Sequence, residues 1–326
     1  MLALLNRTAY RLHEITASGW IRIGKAENSG NNRMAFVDGG NSSIIKTPAA
    51  ELQRIRTAAV ATENNKLTEA IQREGYLLAK LGSDEAGRIR CKPELTESTL
   101  EIGNGDLNGI PCEIAGTGEN NASLVKFCET ARKLAELKAA HTAARRQKSR
   151  FIVLDGTLEA FSETEEKAMG SLFAAAKENS AIVGAVAKTC TLLTDSGKPL
   201  LEAVGELGEK EGYLIIAEGL SEKHNAAVAI AKLNSSASYL FRIEAANKDE
   251  LAQLVAALKE QSNDLSFPGY PYGLIMADRF ARISNNEAEL SKARIRAAAD
   301  NKLSNELKNL MRQTKAMDAH DVLDRM

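Results

Sequence analysis

Two segments of this sequence close in the same way. Phe36-Val37-Asp38-Gly39 and Val153-Leu154-Asp155-Gly156 each end an apolar run with Asp-Gly. A short apolar run bounded by turn residues reads as a buried strand. Asp38 and Asp155 are therefore expected at strand exits, the first emerging into a tight loop. Carboxylate oxygens are the ligands that hard divalent cations prefer. A following glycine lets a substrate phosphate approach the backbone closely. Two such aspartates on neighbouring strands can share a metal. A single Asp-Gly is equally the composition of a plain turn, so only the pair lifts the reading above that.

Other residues add to this chemistry. Lys188 ends a third apolar run, IVGAVAK. Beside a metal cluster a lysine holds phosphate or offsets charge in a transition state; elsewhere it is an ordinary exposed lysine. Arg242 and Glu244 alternate in FRIEA and so share a strand face. They form either a structural ion pair or a DNA contact. The stretch 132–150 carries Arg132, Lys133, Lys138, Arg145, Arg146, Lys148 and Arg150 against one acid, Glu136, and leads into the Asp155 strand. Such a run attracts a phosphate backbone or is a solvated helix face. The acidic segment 159–166 is expected to balance it on the surface.

These residues need elements to hold them. The pattern predicts strands at 19–27, 34–37, 151–155, 181–187, 212–217, 226–233 and 238–244, the last two as an antiparallel pair. The stretch 43–61 reads as a strand, a turn at Pro48, and more strand or helix. Helices are predicted at 62–82, 122–148, 163–178, 196–208, 248–261, 274–284 and 286–316. The apolar face of 122–148 is Leu124, Phe127, Ala131, Leu134 and Leu137. A hairpin with turns around GNGDLNG is predicted within 86–115. Strands interleaved with helices give the α/β class, a mixed sheet flanked by helices. The expected organisation is one domain over 1–326, with a core at about 34–284, a small β insertion at about 86–118 and a helical segment at 285–326.

Composition sets bounds. The 326 residues are 44% hydrophobic and 26% charged, with net charge −1, so any nucleic-acid affinity must come from local patches. Four cysteines form no C-x-x-C pair and read as reduced packing residues. No run approaches the roughly 18 apolar residues of a membrane span, which points to a cytoplasmic protein without membrane contact. There is no Walker A motif, so ATP hydrolysis is not expected. The four histidines show no triad or metal spacing. The apolar N-terminus, with Leu2, Leu4 and Leu5, reads as a short amphipathic helix and a candidate partner contact, and the apolar stripe Leu290, Ile295, Leu303, Leu307 and Leu310 as core packing.

The blocks MAFVDGG, FIVLDGTL, VGAVAKTCTL, YLFRIEA and FPGYPYGLIMADRFARIS, in this order from about residue 34 to 284, resemble the NurA nucleases of archaea and some bacteria. The resemblance implies a ribonuclease-H-like core and a homodimer with a central channel. It implies a hydrolase that uses Mn²⁺ or Mg²⁺ on single- and double-stranded DNA ends, alongside a HerA-type hexameric ATPase in double-strand break repair. By position, the family's metal carboxylates correspond to Asp38, Asp155 and Glu136, with Glu129 the alternative to Glu136. Where the family usually has a histidine, this chain has Asp278, whose alternative role is pairing with Arg279 or Arg282. Lys188 matches a strand-end lysine, and Tyr270 with Pro271 a Tyr-Pro turn. Arg132, Arg145, Arg146, Arg242 and Arg279 are the candidate DNA contacts. Two other readings stay open: a non-catalytic DNA-binding adaptor of a translocating ATPase, and a related nuclease acting on RNA or hybrids.

Overall fold

A computed structural model describes residues 16–25, 32–112, 120–207, 210–220, 224 and 226–301. Its strands are β1 (Met34–Thr47), β2 (Ala50–Glu63), β3 (Lys66–Ser83), β4 (Ile89–Thr96), β5 (Phe151–Asp155), β6 (Ile182–Ala187), β7 (Gly212–Glu218), β8 (Ala227–Lys232) and β9 (Phe241–Ala245). Its helices are α1 (Asn104–Asn108), α2 (Asn120–Arg146), α3 (Glu163–Glu178), α4 (Leu200–Gly205), α5 (Lys248–Glu260), α6 (Tyr272–Ala281) and α7 (Asn285–Asn301). The chain divides into two compact units. The first holds Met1–Asp38, Ala58–Ile71 and Glu136–Phe280; the second holds Gly39–Thr57, Gln72–Ala135 and Ala281–Met326.

In the first unit the strand order is β3-β2-β1-β5-β6-β9-β8-β7. β1 pairs with β5, and β5 with β6, in parallel. β6, β9, β8 and β7 then pair antiparallel. The parallel strands are apolar almost without alternation, FIVLD and IVGAVA, because both faces are covered. α3 lies over β6, and α5 over β6, β8 and β9. Gly184 permits this: a methyl there would collide with Leu254 of α5. Side-chain caps start both helices. Ser162 accepts from Glu165 N at 3.2 Å, and Asn247 accepts from Glu250 N at 2.9 Å.

In the second unit the order is β4-β3-β2-β1. β3 and β4 form a hairpin across Asp84–Arg88, pairing Tyr76 with Thr96 through to Ser83 with Ile89. Ile44, Ile45, Ala50, Leu52 and Leu78 form its core, and Ala288 and Ile295 of α7 pack against it. Arg56 joins Glu74 and Glu287 at 2.9 and 2.8 Å.

Several sequence expectations are corrected. The helix expected at 62–82 is the end of β2 and most of β3. GNGDLNG is helix α1 rather than a hairpin turn, with Asp106 accepting from Gly103 N at 3.0 Å. Of the strand expected at 19–27, the described residues 19–25 hold the end of a 3₁₀ turn and one bridge, Ile21 to Tyr213. Leu290 is exposed; α7 instead turns in Ala288, Ser291 and Ile295. Leu303, Leu307, Leu310 and the N-terminal segment with Leu2, Leu4 and Leu5 lie outside the described residues.

Candidate active site

The site lies wholly within the first unit. The register of β1 against β5 pairs Phe36 with Val153 and Val37 with Leu154. Asp38 and Asp155, the next residue on each strand, are therefore level. Asp155 in turn pairs with Val186 of β6, two residues before Lys188. Asp155 ends its strand as expected, and Gly156 takes the left-handed conformation at φ 115°. Asp38 does not end a strand. Asp38-Gly39-Gly40 lies inside the fourteen-residue β1, and Asp38 is 8% exposed. Gly40 has a packing reason: a methyl there would collide with the carbonyl of Ala281.

Asp278 reaches the same place from α6. Pro271 immediately precedes that helix, where a missing N–H costs nothing, and its carbonyl accepts from Leu274 N and Ile275 N. Gly273 lets α6 lie directly on β1, since a methyl there would enter the Phe36 ring. We expect Gly273→Ala to cost roughly 1–3 kcal/mol, the usual price of overpacking, and to shift Asp278. A thermal melt and the Lys188–Asp278 separation in a crystal of the variant check this; an unchanged melt would refute the close-packing account.

Lys188 sits among these carboxylates. Its Nζ lies 2.7 Å from Asp155 Oδ2 and 3.7 Å from Asp278 Oδ1. Burial opposes its charge. The Asp155 hydrogen bond and the charges of Asp155, Asp278 and Asp38 outweigh that and raise its pKa above the usual lysine value. The ammonium also stands 5.2 Å from the centre of the Tyr270 ring. Tyr270 is buried, and its hydroxyl has no hydrogen-bond partner of good geometry. Burial pushes its pKa up, and the charges of Asp155, Asp38 and Asp278 push it further.

The structure thus brings together Asp38, Asp155, Asp278, Lys188 and Tyr270. Glu136 is buried on α2 at 3% exposure; Glu129, its alternative, falls in the second unit. The donors of the three aspartates suit a hard divalent cation. Lys188 pairs with Asp155 and Asp278, and among the described residues no three acidic, histidine or cysteine side chains are arranged around a metal position.

The basic stretch is not one face. Arg132 donates to the Gly39 carbonyl at 3.0 Å, and Arg150 donates to Gln253 at 3.0 Å and lies over Phe151. Arg145 and Arg146 are exposed at the end of α2. Arg279 is exposed beside Asp278. Arg242 is corrected as a DNA contact: at 4% exposure it is a buried ion-pair member.

That ion pair belongs to a network the sequence did not reveal. Arg242 Nε lies 2.5 Å from Glu244 Oε1, an ion pair without hydrogen-bond alignment, and Arg242 also meets Glu159 at 3.1 Å. Glu244 Oε2 takes His224 Nε2 at 2.8 Å and Leu158 N at 2.7 Å. Burial raises the Glu244 pKa, but His224, Arg242 and the Leu158 amide bring it below the usual carboxylate value. Leu158 and Glu159 follow Asp155 by three and four residues, so the network ties the Asp155 loop to β9. Two acids of the segment 159–166 are engaged elsewhere than on the basic run: Glu159 takes Arg242, and Glu165 accepts from Phe161 N at 2.8 Å. His224 was legible only as a histidine twenty residues before a strand glutamate.

With this geometry in hand, a scan against family models matches residues 187–283 to the NurA domain. The chain resembles the NurA domain over this segment. The matched segment contains Lys188, His224, Arg242, Glu244, Tyr270 and Asp278, while Asp38, Glu136 and Asp155 lie before it. Among solved structures, the chain is similar to the NurA nuclease from Sulfolobus solfataricus, with TM-score 0.53 and 12% identity over 88% of this chain and 90% of that one. Also similar are an endonuclease V of Ciona intestinalis in complex with DNA (TM-score 0.41, 15% identity, 85% and 94% covered) and the catalytic domain of human endonuclease V (0.42, 11%, 82% and 90%). No curated protein matches by sequence. The NurA resemblance and the expected ribonuclease-H-like mixed sheet both stand. No helix among the described residues is long and apolar enough to cross a membrane.

Proposed function

We propose that this protein is a nuclease that hydrolyses phosphodiester bonds at DNA ends with a divalent cation, Mn²⁺ or Mg²⁺. The observation that carries the reading is the gathering of Asp38 from within β1, Asp155 from the end of β5 and Asp278 from α6 about Lys188 and Tyr270. Asp38, Asp155 and Asp278 bring carboxylate charge to this point, and such charge repels a phosphodiester until a cation offsets it. Asp38, Asp155 and Asp278 would hold that cation, with Glu136 as the further candidate from α2. The cation supplies charge neutralisation and acidifies water. Lys188, released from Asp155, would reach the scissile phosphate and offset the charge that develops there. The buried Tyr270 hydroxyl offers an unused donor at the same point.

The wider reading is a cytoplasmic homodimer that acts on single- and double-stranded ends with a HerA-type ATPase in double-strand break repair, with Arg132, Arg145, Arg146 and Arg279 serving the phosphate backbone. Its support is the NurA resemblance. One observation favours the adaptor alternative: Lys188 already neutralises part of the cluster. Cleavage of end-labelled single- and double-stranded DNA in Mn²⁺, Mg²⁺ or EDTA separates the two. We expect metal-dependent cleavage by the wild type and loss on Asp38→Asn. Intact DNA under every condition, with the ATPase present, would establish the adaptor.

A further inference from the structure

Four aromatic rings form a continuous path from the surface of the first unit to the carboxylate cluster. Tyr239 and Phe267 stack with centroids 5.4 Å apart and planes 12° from parallel. Phe267 meets Tyr270 edge-on at 5.5 Å. Tyr270 faces Lys188 Nζ at 5.2 Å. Phe241, buried, braces Tyr270 and Phe267 from beneath at 5.1 and 6.4 Å. The outer two rings are not buried: Tyr239 is 59% exposed and Phe267 37%.

Their exposure is held in place. Asn234 donates to Ser262 O at 3.2 Å and Asn263 Oδ1 at 3.0 Å, tying the Tyr239 loop to the Phe267 loop. Gly269 N donates to Ser262 O at 2.9 Å. Gly269 has φ 91° and fits closely against Ala237, where a methyl would collide. Two planar rings displayed on braced loops, and leading to a phosphate-reactive centre, suit a flat aromatic ligand carrying phosphate.

We propose that Tyr239 and Phe267 are a stacking platform for the unpaired bases of a single-stranded DNA end, whose backbone then reaches Lys188 and the aspartates. Every base has a π face, so such a platform binds without sequence preference. A duplex keeps all but its terminal bases stacked between neighbours and so offers the platform far less. The platform therefore biases the site toward frayed or single-stranded ends. The inference rests on the nuclease reading and deepens it by naming what the substrate presents.

The test is binding without turnover: fluorescence anisotropy of a labelled single-stranded oligonucleotide in EDTA. A strand of equal length and charge with abasic sites is the comparison. Wild type is expected to bind the base-bearing strand more tightly than the abasic one, and this part needs no variant. Tyr239→Ala and Phe267→Ala are each expected to weaken the base-bearing complex roughly tenfold and to leave the abasic complex unchanged. Tyr239→Phe keeps a ring and is expected to bind as wild type. Equal affinity of wild type for the two strands would overturn the proposal. So would variants that bind both strands as wild type does but change oligomeric state in sedimentation, since the rings would then belong to a protein contact. Because no cleavage is measured, failure here and failure of the nuclease reading are separate results.

Discussion

Asp155→Asn is expected to lower DNA-end cleavage on the order of a hundredfold or more, the scale on which loss of one preorganised charged group is felt, and to leave the fold intact. Asp155 makes the shortest contact to Lys188, at 2.7 Å. Asparagine fills the same volume and keeps a hydrogen-bond acceptor, so β5 and its pairing to β1 and β6 have no reason to change. The charge changes. Removing the Asp155 charge ends its repulsion with Asp38 and Asp278 but also weakens the ion pair with Lys188. Melting of the metal-free variant should thus stay close to that of wild type. Added Mn²⁺ should raise the wild-type melt more than the variant's, since a ligand stabilises only the state that binds it. A variant that cleaves at the wild-type rate, or gains as much from Mn²⁺, would remove Asp155 from the site.

Glu244→Leu is expected to give the largest loss of stability. The carboxylate is fully buried and serves Arg242, His224 and the Leu158 amide together. Leucine leaves a buried guanidinium with Glu159 alone and strands an amide. Breaking a buried pair from one side costs about 3–5 kcal/mol. Replacing both partners is often far milder, so Glu244→Leu combined with Arg242→Met should recover part of the loss. Urea unfolding followed by two probes measures this; a double variant no more stable than the single would show that the residues act independently. Acid gives a second check. The folded-state pKa of Glu244 is held below the usual 4.5. Its contribution is therefore present above the unfolded carboxylate range and is lost as pH falls through the lower folded value. The wild-type stability curve should fall more steeply on its acid side than that of Glu244→Leu. Cleavage should suffer as well, because the network anchors the loop that follows Asp155.

Much of the site was legible because its positions follow from strand period. FIVLD and IVGAVA are short, apolar and bounded, so Asp155 and Lys188 fall at strand ends on sequence grounds alone. Asp38 was found for the same reason and misplaced for another. Asp-Gly-Gly signals a turn, but at Gly40 a neighbouring carbonyl, that of Ala281, comes too close for a side chain. That contact spans more than two hundred residues and leaves no local trace. The strand β3 was misread because Leu, Glu, Ala, Gln and Lys all favour helix. Only the alternating burial of Lys66 to Arg73 marks it as a strand, and that pattern comes from partners the sequence does not name. The network around Glu244 was hidden likewise. Arg242 and Glu244 were seen as a pair, whereas His224 and the Leu158 amide join them only through the sheet and the loop after β5.

The level pairing of Val37 with Leu154 also governs which changes in chain length this protein can accept. Successive strand residues face opposite sides. One residue gained or lost between Met34 and Asp38, or between Phe151 and Asp155, would turn an aspartate to the wrong face of the sheet. The Asp84–Arg88 turn carries no such constraint, and insertions there would lengthen a hairpin tip and nothing else. Lineages of this chain should therefore vary in length at the hairpin while keeping both five-residue runs at fixed size.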